Sequence, residues 1–175
     1  MESDRTVFTP LDMRVLWRMA FRSATVSAVR MANKGLLVRL ASGYYALNNR
    51  YNRYELANRM LTPSYVSFQA ALFLQGINFQ GREEIGSVAR RDHRRTIGGT
   101  LYTYAAMKQE LFFNTGGIVT REGVAMALPE RAVLDSFYFG FLPDIDDPSK
   151  LNKTRLLEWA VFYPRTVQNK AQALL

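Results

Sequence analysis

The sequence predicts an α+β protein, and three observations carry that prediction. From Arg22 to Lys34 small and apolar residues recur at helical spacing, and past Gly35 the period changes to the alternation of a tight hairpin. Farther on, β-type runs at Ile85 to Arg91, Thr100 to Ala105 and Gly123 to Leu128 are punctuated by turns at Gly98-Gly99 and Asn114 to Gly117. Helix starts marked by proline flank these runs, at Thr9-Pro10 and at Pro129-Glu130. For the C-terminal part, those signals favour a small sheet packed by helices.

Residues 1–6 read as a loose lead. Thr9-Pro10-Leu11-Asp12 then combines a cap residue, proline at the first helical position and an acid where the helix dipole favours negative charge. Phe8 is placed to staple onto Met13, and Leu11, Val15 and Met19 share one face of that helix. In the next helix Ser23 is the predicted cap, since its hydroxyl can accept from a first-turn amide, and Gly35 is the exit. At about 100° per residue, Ala24, Ala28, Met31 and Ala32 form the face to bury. Arg22, Val26, Arg30 and Asn33 then face outward, flanked by Ser23, Val29 and Lys34.

Leu36, Val38 and Leu40 alternate with Leu37, Arg39 and Ala41, Ser42-Gly43 is a turn dipeptide, and Tyr44 to Leu47 is the return strand. Helix, short turn, helix and hairpin on a basic segment predict a winged helix-turn-helix over residues 1–50. Too little chain precedes Thr9 for a further helix, so another element must cover that side of the small core. Trp17 and Phe21 are candidates for packing there, or against a second domain or a twin subunit.

Asn-rich sequence at Asn48 to Asn52 marks the boundary, and residues 51–175 form the predicted C-terminal α+β domain. A short helix, roughly Tyr54 to Leu61, ends at Thr62-Pro63. Tyr65 to Ile77 reads as a buried helix capped by Ser64 or Ser67 and ending at Gly76. Val133, Leu134, Phe137, Tyr138 and Phe141 give the helix after Pro129 its apolar face. An acidic loop from Leu142 to Lys150, a helix from about Asn152 to Phe162, a break at Pro164 and a last short helix complete the chain.

Charge is the strongest compositional clue. The net charge is +8, and +5 of it falls in the first 50 residues. A basic balance concentrated on the predicted helix-turn-helix points to phosphate contact. Without cysteine there is no disulfide, thiol chemistry or Cys-ligated zinc, and the lone His93 excludes a multi-histidine metal site. No apolar run approaches the roughly 20 residues of a membrane span, and the N-terminus lacks a signal-peptide core. A cytoplasmic protein without cofactor or metal is the expectation.

The predicted DNA contacts follow from side-chain chemistry. Arg22 or Arg30 would pair with guanine, Asn33 with adenine, and Val26 would meet a thymine methyl or, equally, pack on a neighbouring helix. Ser23, at the helix start, belongs to the same surface. Thr25, Ser27 and Lys34 suit phosphates, and Arg39 and Ser42 sit on the wing. Arg14 and Arg18 contact phosphate or merely solvate the first helix. Arg90, Arg91, Arg94 and Arg95 form a secondary basic patch, read as a solvated loop before an extension of the DNA footprint.

Asp144, Asp146 and Asp147 lack the glycine and terminal glutamate of a calcium loop and read as solvated. Glu130, Arg131 and Asp135 read as a structural network at a helix start rather than a catalytic set. Tyr102, Tyr104, Phe112, Phe113, Phe137, Tyr138, Phe139 and Phe141 read as core. Two alternatives from other classes stand beside the regulator reading. One is a metal-dependent nuclease assembled from Glu83, Glu84, Asp92 and Lys108; the other is a protein-interaction module with a vestigial winged helix. Neither a Ser-His-Asp set nor a Gly-rich phosphate loop is present, and a non-enzyme is expected.

Three segments, in order, resemble one family. Tyr65-Val66-Ser67-Phe68-Gln69-Ala70-Ala71-Leu72 followed by Gly76 resembles the "YISLESAL…G" segment of AbiEi-type antitoxins, which are also transcriptional regulators. Ala127-Leu128-Pro129-Glu130-Arg131-Ala132-Val133-Leu134-Asp135 resembles that family's "A-x-PE[KR]A-x-x-D" signature, and Arg39 to Tyr45 its "R-x-x-x-G-x-Y" wing. The resemblance implies a winged helix that binds repeats in its own promoter. It also implies a C-terminal domain acting as the antitoxin of a type IV toxin–antitoxin (abortive infection) system. The partner would be a nucleotidyltransferase-like toxin, with no stable complex required. Homodimerisation is the expectation for a repeat-binding regulator, although no coiled-coil seam accompanies it.

Overall fold

The computed structural model describes residues 5–174. Strand β1 (Val7–Phe8) leads into helix α1 (Pro10–Leu16) through a reciprocal cap. The Thr9 hydroxyl accepts from the Asp12 amide, and the Asp12 carboxylate accepts from the Thr9 amide and hydroxyl. Helix α2 (Phe21–Asn33) begins two residues before Ser23, and its cap position is Ala20, which offers no side-chain acceptor. Ser23 is therefore an exposed first-turn residue and not the cap. The exit is as expected: Gly35 takes φ +73°, and the Leu36 amide closes onto the Met31 carbonyl at 2.9 Å.

Strands β2 (Val38–Ala41) and β3 (Tyr44–Ala46) form an antiparallel hairpin around Ser42-Gly43, and β1 adds to the other side of β3. Met13, Ala24, Ala28, Leu37 and Tyr45 make the core of this unit, with Phe8 and Trp17 packed against it. Leu11 and Val15 do not join it. They remain 56% and 66% exposed, because Met13 and Trp17, on the opposite side of α1, face α2 instead.

Helix α3 (Arg53–Met60), capped by Asn52, packs against β1 of this unit. Its Glu55 carboxylate accepts from the Thr6 amide and hydroxyl and from the Val7 amide at 2.7–3.2 Å. Arg59 bridges Glu55 and Asp12 at 3.1 and 2.7 Å. The opposite face of α3 sends Leu56 and Ala57 into a second core, which Val7 also enters.

That core lies on one face of a six-stranded sheet built from β4 (Ser64–Val66), β5 (Glu84–Ala89), β6 (His93–Ile97), β7 (Thr100–Ala106), β8 (Ile118–Arg121) and β9 (Val124–Ala127). The order is β6-β7-β5-β4-β9-β8. Pairs β5/β7 and β4/β9 are parallel, and the remaining pairs are antiparallel. Strand alternation sends Val66, Ile85, Tyr102 and Met126 towards α3. Tyr65, Val88 and Ala127 face the other way, into a core shared with α4 (Phe68–Leu74), α5 (Gln109–Phe112), α6 (Pro129–Tyr138), α7 (Lys153–Ala160) and α8 (Arg165–Ala173). The chain is thus α+β.

Two further expectations need correction. Tyr65 does not begin a helix: Ser64–Val66 is strand β4, held between β5 and β9, and the helix starts only at Phe68. Gly86 on β5 allows this turn, since a Cβ there would lie 2.8 Å from the Phe68 ring. Arg90 to Arg95 is a loop only as far as Asp92, because β6 begins at His93 and pairs along β7. The predicted aromatic cluster divides between two cores. Tyr102 and Tyr104 lie on the α3 side and Phe112 and Phe137 on the other, while Phe113 and Phe141 are exposed. Among the described residues, no helix is long and apolar enough to cross a membrane.

Candidate nucleic-acid interface

Helix α2 buries Ala24 and Ala28 and turns Arg22, Val26, Arg30, Asn33 and Lys34 to solvent. Val26 is 44% exposed and is a member of none of the three cores. Thr25 differs from its neighbours: its hydroxyl donates to the Phe21 carbonyl at 3.0 Å, inside the helix. Ser27 is half-buried and Ser23 exposed. On the hairpin, Arg39 projects from β2 and Ser42 from the tip, both exposed.

Electrostatics sharpen this surface. Arg14, Arg18, Arg22, Arg30, Lys34, Arg39 and Arg50 are exposed, and none has an ion-pair partner among the described residues. Between residues 5 and 50 the only acid is Asp12, already paired with Arg5 and Arg59. Burial pushes the Asp12 carboxyl upward, but hydrogen bonds from Arg59 and Thr9 outweigh it and hold the group below its usual range. Among the described residues of this unit basic side chains outnumber acids, which favours a polyanion.

The second basic patch does not assemble as a single surface. The Arg90 guanidinium donates to the Met107 carbonyl at 2.6 Å and lies about 6 Å from the Phe112 and Phe113 rings, which makes it a clamp between β5 and α5. Arg91, Arg94 and Arg95 are exposed, but adjacent strand residues point to opposite faces, so Arg94 and Arg95 diverge.

Two of the nuclease residues, Glu84 and Lys108, are likewise apart. Glu84 opens β5 and Lys108 follows the end of β7, and these strands are parallel with Glu84 beside Leu101 and Ala89 beside Ala106. Glu84 and Lys108 therefore sit at opposite ends of the pair. Asp92 accepts from the Ala106 amide at 2.8 Å. The acidic loop is engaged too, with Asp144 paired to Arg82, Asp146 accepting from the Phe79 amide and Asp147 capping a short 3-10 turn. Among the described residues, no three acids or histidines are placed to hold a metal ion.

Beneath the sheet lies a buried network that sequence reasoning saw only in part. Arg131 and Asp135 pair at 3.2 Å, as their four-residue spacing suggested. Asp135 also accepts from Ser67 at 2.7 Å, Tyr65 at 3.1 Å and Tyr163 at 2.6 Å. Arg131 donates onward to the carbonyls of Leu111, Asn114 and Gly116. Burial pushes the Tyr65 and Tyr163 hydroxyls well above their usual range, so both remain donors. It also raises the Asp135 carboxyl, against the pull of Arg131 and the three hydroxyls. For Arg131, burial pulls downward, yet Asp135 and the two tyrosines more than offset it and the guanidinium stays charged. This network ties β4, α5 and α6 to the segment between α7 and α8. Tyr163 lies 28 residues from Asp135, beyond any local spacing rule.

No family model matches the chain, and no curated protein matches it.

Proposed function

We propose that the chain is a sequence-specific DNA-binding autorepressor that reads DNA through α2, with the β2–β3 hairpin as its wing. The observation that carries this reading is the outward face of α2, where Arg22, Val26, Arg30 and Asn33 stand exposed and the arginines have no ion-pair partner among the described residues. Two further features support it. The succession β1–α1–α2–β2–β3, with its sheet ordered β1-β3-β2, suits a winged helix-turn-helix in which α3 does the covering work of a preceding helix. The basic excess of this unit suits the phosphate backbone. Arg22 and Arg30 read guanine, Asn33 reads adenine, and Ser23, Lys34, Arg39 and Ser42 hold phosphates.

The resemblance to AbiEi-type antitoxins extends the proposal to the antitoxin of a type IV toxin–antitoxin system. The partner is then a nucleotidyltransferase-like toxin, opposed without a stable complex. Tyr65, Ser67, Arg131 and Asp135, which belong to the two resembling motifs, meet in the buried network. That meeting supports a shared scaffold role for the motifs and no catalytic one.

A gel-shift titration on the DNA upstream of the gene, with competitor DNA, tests the regulator role. Wild type is expected to give a sequence-specific shift that weakens steeply with salt. Arg22→Ala and Arg30→Ala should each lose about 1–3 kcal/mol of discrimination. Salt-sensitive binding without sequence preference, or no binding, would sink the proposal.

A further inference from the structure

We infer that Val26 reads the 5-methyl group of a pyrimidine in the major groove; the inference rests on the DNA-reading role proposed for α2. Val26 is 44% exposed near the middle of a 13-residue helix and is a member of no core. Burial therefore does not explain an apolar side chain at this position. Helix propensity does not explain it either, since a β-branched residue restricts its own rotamers against the preceding turn and is a poorer helix former than alanine. What distinguishes the position is its company. Arg22 and Arg30 lie four residues to either side on the same outward face, both exposed and, among the described residues, without an ion-pair partner, with Asn33 beyond.

Four helical residues advance about 6 Å. Base pairs repeat at about 3.4 Å, so each step along this row spans roughly two pairs. An arginine paired with guanine O6 and N7 would thus set Val26 over a base about two pairs away. In the major groove the C5-methyl of thymine is the apolar feature of the unmodified bases, and aliphatic side chains meet it by contact alone. The same methyl stands at C5 of 5-methylcytosine. The ligand class is therefore a 5-methylpyrimidine about two pairs from a guanine.

The test uses the full chain and a duplex selected by it from a randomised pool. That duplex is remade with deoxyuridine replacing one thymidine at a time, and with cytosine or 5-methylcytosine, each opposite guanine, at the sensitive position. Wild type should lose about fourfold in affinity at one thymidine, the factor that burial of one methyl group yields. Val26→Ala should bind the thymidine and deoxyuridine forms alike. A gain on methylating the cytosine extends the reading to that base, and its absence confines the reading to thymine. Wild-type affinity indifferent to every deoxyuridine, or discrimination that survives in Val26→Ala, would overturn the inference. Failure to select any sequence would overturn the DNA-reading role itself.

Discussion

Asp135 is fully buried, and four donors surround its carboxylate. A buried pair is costly to break, since removing one partner strands the other's charge away from water. Arg131→Met is expected to cost about 3–5 kcal/mol of stability by that mechanism. Tyr163→Phe removes one of two donors to Asp135 Oδ1, which leaves Arg131 in place, and should cost about 1–2 kcal/mol. Urea denaturation of both variants separates the two, and equal losses would mean that the ion pair is not the critical contact. At this scale the sequence was informative where chemistry is local. The four-residue step from Arg131 to Asp135 and the outward set on α2 were both legible. Ser67 and Tyr163 were not, because their partners are brought to them by tertiary packing.

Secondary structure was legible where period and punctuation agreed, and obscure where only pairing decides. Pro10, Gly35, Gly76 and Pro129 stand at the ends of helices as their backbone preferences require. Strand β4 hid inside an apparently helical run because three residues are too few to show a period, and its place between β5 and β9 comes from long-range partners. Strand β6 hid because His93 to Thr96 are all exposed and give no apolar alternation. Helix α1 misled for a simpler reason. It carries two apolar pairs at four-residue spacing, Leu11 with Val15 and Met13 with Trp17, and spacing alone does not choose between them. The structure chooses Met13, so Met13→Ala should cost about 2–5 kcal/mol by leaving a cavity. Leu11→Gln should stay within about 0.5 kcal/mol, as a surface change does. Thermal unfolding of the two variants checks the assignment, and comparable losses would contradict it.

On the scale of the whole molecule, α3 is the element that joins the basic N-terminal unit to the large sheet. Leu56, Ala57 and Val7 share a core with Val66, Ile85 and Tyr104, so packing is continuous across the polar connection at residues 48–52. The charged side of that joint is Asp12–Arg59–Glu55. Because the folded protein holds the Asp12 carboxyl below its ordinary value of 3.8, the charged form is favoured by folding. Its contribution is therefore fully present above the unfolded value and is lost as pH falls through the lower folded one. Asp12→Asn removes the charge at every pH. The variant should melt below wild type near neutrality, and the gap should close as wild type is acidified well below pH 3.8. If α3 joins both units, this deficit shifts a single cooperative transition, seen alike by backbone circular dichroism and by tryptophan fluorescence. Trp17 reports the N-terminal core and Trp159 packs against the large one, so one transition in both signals is a direct readout of the joint. A gap that stays constant down to strong acid would remove Asp12 from that role, and two separate transitions would mean that α3 does not couple the units.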